Sequence, residues 1–415
     1  MNDWRREIWF VRRDRAAMFW LVLSLGLAGF AVWSGHQEVT NQRAAISKLI
    51  ELDRVERQAV AEEQSSWGGL AYYSFHLTYD RPSDFAFAAI GQRDTAPWMH
   101  RIRMLALEGQ IYETDREQPE FGLIGRLDFS FLVAFILPLI AILLLHDLRA
   151  REQNQGRLAW LEATAGDGNR LWRQRLVIRL VLLAACMLIP LVLGAVLAGT
   201  PAVTLALGGL VVSAHLLFWG WLCSLVDRRG WPGPTKLTLL LGLWLGLVVV
   251  MPTVISTIAE RMHPIPAGAD IILTQREAVN QAWDLPKAAT MDAFVERHPE
   301  WADHAQIEQP FEWRWYYAFQ QVGDQVAEPL SQAYRNGIGK RDRLVGRLSW
   351  LSPPVWTNRT LQSLADTDVT AMQDYEQQIR DFHAALRHYY YPFLFEEQTL
   401  TPAAVADRPE FTARR

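Results

Sequence analysis

The 415-residue sequence predicts a mainly α-helical protein: a polytopic membrane bundle of about five spans with two extracytoplasmic, mostly helical domains. Three observations lead there. Long charge-free apolar runs alternate with stretches as polar as any soluble protein, although half of all residues are hydrophobic. Arginines crowd the connections on one side of those runs. The polar stretches carry a helical period punctuated by prolines.

The chain opens on a basic interfacial segment, 1–15, MNDWRREIWFVRRDR. The apolar run at 16–34 has about the length that crosses a hydrocarbon core about 30 Å thick. It lacks a small-residue cleavage signature and follows charged residues, so it reads as a retained anchor. Runs at 129–146, 176–197, 202–226 and 237–258 also reach spanning length. Backbone groups in lipid must pair internally, so each is expected as a helix. Pro138, Pro190 and Pro252 fall inside spans and are expected to kink them.

Flanking charge sets the expected orientation. Arg5, Arg6, Arg12, Arg13 and Arg15 precede the first span, and Arg149, Arg151, Arg157, Arg170, Arg173 and Arg175 lie in the 147–175 link. Arg228, Arg229 and Lys236 join the fourth span to the fifth, whereas the turn at Gly199–Pro201 has no basic residue. The positive-inside rule then makes the amino terminus and both Arg-rich links cytoplasmic, in a bacterial inner membrane, and 35–128 and 259–415 periplasmic. Of the 18 tryptophans, Trp33, Trp172, Trp219, Trp221 and Trp231 fit an interfacial belt, while Trp301, Trp313 and Trp315 fit a soluble core.

In the first polar region the helical pattern of residues 38–64 is expected to continue the first span or to lie on the membrane surface. An aromatic stretch follows, broken at Asp80-Arg81-Pro82, and then a short strand is expected around 101–113. In the last region helical windows fall at 290–297, 313–332 and 367–388, with breaks at Pro299, Pro310, Pro329, Pro353 and Pro392. Thr367-Asp368 has the form of a helix start.

Several chemistries find no support. No G-x-x-x-x-G-K-[ST] loop is present, and Gly337-Ile338-Gly339-Lys340 lacks both the spacing and the hydroxyl, so any ATP must be bound by another chain. Hydrolase signatures are missing, and the chain is not expected to be an enzyme or to bind nucleic acid. The only cysteines, Cys186 and Cys223, lie in apolar runs. The pairs His298/His304 and His383/His388 lack i, i+4 spacing, so no metal is expected. His215, near the middle of the fourth span, is an intramembrane polar candidate, against the plainer reading of a neutral ring bonded to a neighbouring helix.

The link between the second and third spans is the most distinctive segment. It supplies Arg151, Glu152, Gly156, Arg157, Leu158 and Leu161, a pattern for a short helix with an apolar and an Arg-rich face. This segment resembles the one after the second span of ABC-2 superfamily exporter permeases: Glu152, then Gly156, then Leu158 and Leu161. The basic segment with Trp4, Arg5 and Arg12 is similar to that family's interfacial helix.

The resemblance is closer to a branch whose carboxy-terminal region is a domain of unknown function. It rests on Arg297-His298-Pro299-Glu300-Trp301, on 316–324 (YYAFQQVGD) and on Leu351-Ser352-Pro353. It continues in 364–368 (LADTD), Phe382-His383, Tyr389-Tyr390-Tyr391-Pro392 ahead of Phe395, and Arg408-Pro409-Glu410-Phe411. Asp366 departs from the branch, which tends to have Gly there.

The resemblance implies a permease subunit that couples through Arg151–Leu161 to a separate ATP-binding subunit carrying ATP and Mg. It also implies a second permease, identical or a sister chain. A typical member has six spans; this sequence shows five. The competing expectation is a mechanical transmitter that uses ATP to act on an extracytoplasmic partner.

Overall fold

The computed structural model describes residues 3–112, 127–164 and 168–414. The fold is mainly helical and contains five helices long and apolar enough to cross a membrane. A short amphipathic helix, α1 (Asp3–Arg13), precedes α2 (Arg15–Glu63). Asp14 separates them and caps α2, its carboxylate accepting from the Ala17 amide. With no proline in 49 residues, α2 runs unbroken for about 70 Å. The helical pattern of residues 38–64 is thus the continuation of the first apolar run.

The other long apolar helices are α5 (129–145), α8 (Gly168–Ala198), α9 (Ala202–Asp227) and α10 (Gly233–Met262). Between α2 and α5 lie α3 (Trp67–Tyr73), the antiparallel pair β1 (His76–Tyr79) and β2 (Met99–Ile102), and α4 (Leu107–Tyr112). The strand expected over 101–113 is therefore corrected. Only its first two residues are in β2, 107–112 are helical, and Glu113 lies outside the described residues. Two short helices, α6 (Ala150–Asn154) and α7 (Leu158–Thr164), join α5 to α8.

The span prolines act through their missing N–H. Two π turns, at Leu132–Ile136 and Gly246–Val250, each end two residues before a proline, Pro138 and Pro252. Widening the ring there accommodates the carbonyl that proline cannot serve, and it frees carbonyls for other partners. Trp244 donates to the Phe135 carbonyl at 3.0 Å, and Ser352 donates to the Leu247 carbonyl at 2.7 Å. At Pro190, by contrast, α8 stays α-helical.

The carboxy-terminal region continues with α11 (Gly268–Gln281), α12 (Lys287–Val295), α13 (Trp313–Leu348), α14 (Pro353–Leu364), α15 (Val369–Phe395) and α16 (Pro402–Ala406). Asp368 caps α15 through the Ala371 amide. The breaks expected at Pro329 and Pro392 are corrected: α13 passes through the exposed Pro329, and α15 runs on to Phe395. Asp366 has φ 59°, the left-handed conformation that Gly adopts freely and Asp tolerates.

Two cores organise these elements. One joins α2, α5, α8, α9 and α10, with Phe85 and Phe87 plugged into it from the polar side. A Cβ on Gly35 would overlap the Phe87 carbonyl, so glycine permits that seat. The other core is aromatic and mixes Trp67, Leu70 and Ile102 with Phe294, Trp315, Phe319, Tyr390 and Phe395. Trp67 stacks on Phe393 at 4.0 Å. The two polar regions, expected as separate domains, thus share one core, because their aromatic faces cover each other.

The least expected feature is a helical hairpin made by the end of α13 and the whole of α14. It descends alongside the bundle until Ser352 meets Leu247, halfway along α10. On the ascending arm Leu361 and Ala365 join the bundle core. Arg359 clamps the two arms through Asp342 at 2.7 and 2.9 Å.

Candidate functional site

At the basic end of the bundle, the residues flagged in the α5–α8 link enter a chain of ion pairs. Glu152 accepts from Arg157 at 2.9 Å and from Arg175 at 3.1 Å, and Arg175 also binds Glu7 of α1 at 3.1 Å. Arg151 binds Asp14 at 2.6 Å, and Arg179 lies 3.7 Å from the same carboxylate. Burial pushes the Asp14 carboxyl up, but the Ala17 amide and Arg151 outweigh it and hold it below the usual range. Arg149 and Lys236 meet Asp227 at 3.7 and 3.1 Å. Arg179 also donates to the Leu144 carbonyl at 2.8 Å, so Asp14 and Arg179 gather α2, α5 and α8, while Asp227 and Lys236 join α9 to α10 in a neighbouring group.

The local shape follows from one backbone position. Gly156 has φ +68° and open space around it, so the chain turns sharply between α6 and α7. Leu158 packs toward the bundle, Leu161 is half-buried, and Trp160 is 66 % exposed. In α1, Glu7 and Val11 face inward while Trp4, Arg5 and Arg12 are exposed. The sequence reading flagged the segment but missed Glu7, Asp14, Arg175 and Arg179, whose charges look like ordinary flanking charge.

His215 is buried, with its Nδ1 2.8 Å from the Thr357 hydroxyl and its Nε2 accepting from Trp219 at 3.2 Å. The neighbouring helix that His215 bonds is therefore α14, since Trp219 lies on its own helix. Trp172 and Trp219 are buried, which corrects their assignment to an interfacial belt; Trp33, Trp221 and Trp231 are exposed.

In the polar domain a cleft of about 440 Å³ opens between α13 and α15, closed at one side by 297–301. Four of the stretches quoted for the resemblance meet there: Arg297, His298 and Trp301; Gln321 and Asp324; His383; and Tyr391 with Pro392. Beneath it Glu108 accepts from Arg380 at 2.9 and 3.0 Å, from Ser331 at 2.7 Å and from Arg335 at 3.4 Å. Burial raises the Glu108 carboxyl, but Arg380 and Ser331 outweigh it and the net shift is downward. Asp324 binds Arg387 at 2.5 Å and caps the start of α4 through the Leu107 amide. Among the described residues no cluster of three or more His, Cys, Asp or Glu is placed to hold a metal.

Burial also favours the neutral form of three histidines of this domain. It lowers His76 to about 3 and His100 to about 4, and it holds His383 well below its ordinary 6.5. His383 bonds the Arg103 carbonyl at 3.1 Å. His100 meets the Tyr375 hydroxyl at 3.2 Å, and His76 packs edge-on against Phe382 with neither ring nitrogen hydrogen-bonded.

The family model of a domain of unknown function (DUF3526) matches residues 270–414, which include α13, the hairpin, α15 and all of the cleft lining except Leu107 and Glu108. No curated protein and no solved structure matches the chain.

Proposed function

We propose that this chain is the transmembrane permease subunit of an ABC exporter of the ABC-2 type. In this reading it lies in the bacterial inner membrane, with the basic end cytoplasmic and the polar domain periplasmic. A separate subunit binds ATP and Mg, and a second permease, identical or a sister chain, completes the path. The single observation that carries the reading is the set of ion pairs at the basic end, because it ties the exposed α6–α7 elbow to α1, α2 and α8, and the adjoining Arg149 to α9 and α10 through Asp227. An ATPase pressing on Trp160 and Arg157 would move the span ends together through Glu152, Arg175 and Asp14.

The test is purification of the chain from its native membrane in mild detergent, with mass spectrometry and an ATPase assay. A stoichiometric ATP-binding subunit with vanadate-sensitive activity supports the proposal. Recovery of the chain alone across several detergents sinks it.

One observation favours a second reading, a mechanical transmitter. The single helix α2 joins the ion-pair chain at Asp14 to the polar domain, where Asp53 accepts from the Leu77 amide at 3.0 Å and Arg57 binds Glu410 at 3.0 Å. Such a rod carries displacement from one end to the other without a polar path. ATP-dependent change in the polar domain with no substrate movement in sealed vesicles separates this reading from export.

A further inference from the structure

The hairpin presents one face to nothing else in the described chain. Lys340, Arg343, Arg347 and Trp350 recur at helical spacing along the end of α13 and are all exposed, Trp350 at 83 %. None of the three cations has a carboxylate partner among the described residues. Their neighbours on the inner faces are spoken for: Arg341 donates to the His263 carbonyl at 2.7 Å, and Asp342 is held by Arg359.

The order of these residues along the axis matters more than their number. The Ser352–Leu247 bond puts the hairpin tip at the middle of α10, and the Thr357–His215 bond puts the next turn at the middle of α9. Counting 1.5 Å per residue, Arg347 and Arg343 sit about 7 and 13 Å above that level. The hydrocarbon half-thickness is about 15 Å. Long Arg side chains reach upward from such depths to the headgroup layer. Read from outside inward, the face is therefore cationic at the phosphate level and aromatic below it, with Leu351 beside Trp350 and 56 % exposed. That is the polarity profile of one lipid leaflet.

We propose that this face is a binding site for an anionic phospholipid. Arg343 and Arg347, one turn apart, hold the phosphate, Lys340 adds charge above them, and Trp350 and Leu351 lie along an acyl chain. The proposal rests on the membrane reading above but not on the ATPase partner. It gives the matched domain a lipid-facing role in its own right.

The full chain is reconstituted in phosphatidylcholine vesicles containing a small fraction of phosphatidylglycerol with brominated acyl chains. The fluorescence lost by the native chain but not by Trp350→Phe reports contact at the hairpin tip. Brominated phosphatidylglycerol is expected to quench Trp350 in preference to brominated phosphatidylcholine. The pair R343Q/R347Q is expected to weaken that preference about thirtyfold, since each cation near the surface contributes about a fivefold factor. R343K/R347K should retain most of it.

Equal quenching by the two lipids overturns the proposal, as does no quenching of Trp350 at all. Disulfide formation between two copies of Trp350→Cys also overturns it, in favour of a second copy as the occupant. No ATPase is needed for any of these readings. A chain that selects phosphatidylglycerol but recruits no ATP-binding subunit therefore sinks only the proposed function, and the reverse result sinks only the lipid site.

Discussion

Two carboxylates gripped by arginines, Glu152 of α6 at the basic end and Glu108 of α4 in the polar domain, differ in how their partners are shared. Glu152 is held by Arg157, 56 % exposed, and by Arg175, which is 14 % exposed but shared with Glu7, while the Glu152 side chain itself is 12 % exposed. Glu108 is held by Arg380 and Arg335 inside the polar domain, with the Glu108 and Arg380 side chains only 10 % and 11 % exposed. Exposed pairs are worth little because water and salt screen them, whereas a buried pair that loses a partner leaves an uncompensated charge. The basic end is thus a joint whose links can be traded, and the polar domain is a rigid body. A lever needs both.

The comparison can be broken in four ways, taken from the largest effect downward. The first is acid. His76, His100 and His383 are neutral and buried when folded but titrate near 6.5 when unfolded, so the unfolded chain binds more protons below that pH. The stabilisation is complete above about pH 6.5 and is lost as pH falls toward 4. Near pH 5 the loss is on the order of 2 kcal/mol for each ring. Near-ultraviolet circular dichroism of the full chain in detergent should show the aromatic core loosening there. A flat signal down to about pH 4 would contradict the sealed-domain picture.

Next comes Arg380→Met, which leaves Glu108 with Ser331 and the more distant Arg335. Thermal or denaturant unfolding should show a loss of about 3–4 kcal/mol. A loss below about 1 kcal/mol would put this cluster in the same class as the basic end.

Third, Glu152→Ala should cost about 1 kcal/mol of stability, because Arg157 is exposed and Arg175 keeps Glu7 as a partner. Its effect belongs to coupling: stimulated ATPase of the purified complex should drop roughly tenfold, within the range residues on coupling routes carry. Unchanged coupled activity would remove Glu152 from the proposed lever.

The smallest effect is expected at Asp366→Gly. A residue at φ 59° gains local comfort from Gly and loses unfolded-state restriction, so stability should move by less than about 0.5 kcal/mol.

What could be read from the sequence was what depends on local composition. Five apolar runs became five long helices, and of the two arrangements that the period of 38–64 left open the structure has the extension of α2. The hairpin was illegible because Lys340, Arg343 and Arg347 give α13 the hydropathy of a soluble helix, and Leu351-Ser352-Pro353 looks like an ordinary break. That the two polar regions share one core depends on which aromatic faces meet, and no single-chain pattern encodes it. The ion-pair chain was half visible. Glu152 stood out, while Glu7 and Arg175 acquire meaning only when α1 folds back onto α8. The two π turns could have been suspected from Pro138 and Pro252, yet Pro190 shows that proline alone does not decide the helix type.

The stacking of Trp67 on Phe393 also bears on how the protein is made. The ribosome adds 5–20 residues per second, so about 300 residues separating the two rings represent roughly 15–60 s of synthesis. Throughout that interval Trp67, Leu70 and Ile102 are finished but lack their partners Phe294, Trp315, Tyr390 and Phe395, which are still to be made. Nascent copies therefore pass through a long window with a half-built aromatic surface, and a chain released before its last helices is left with that surface uncovered.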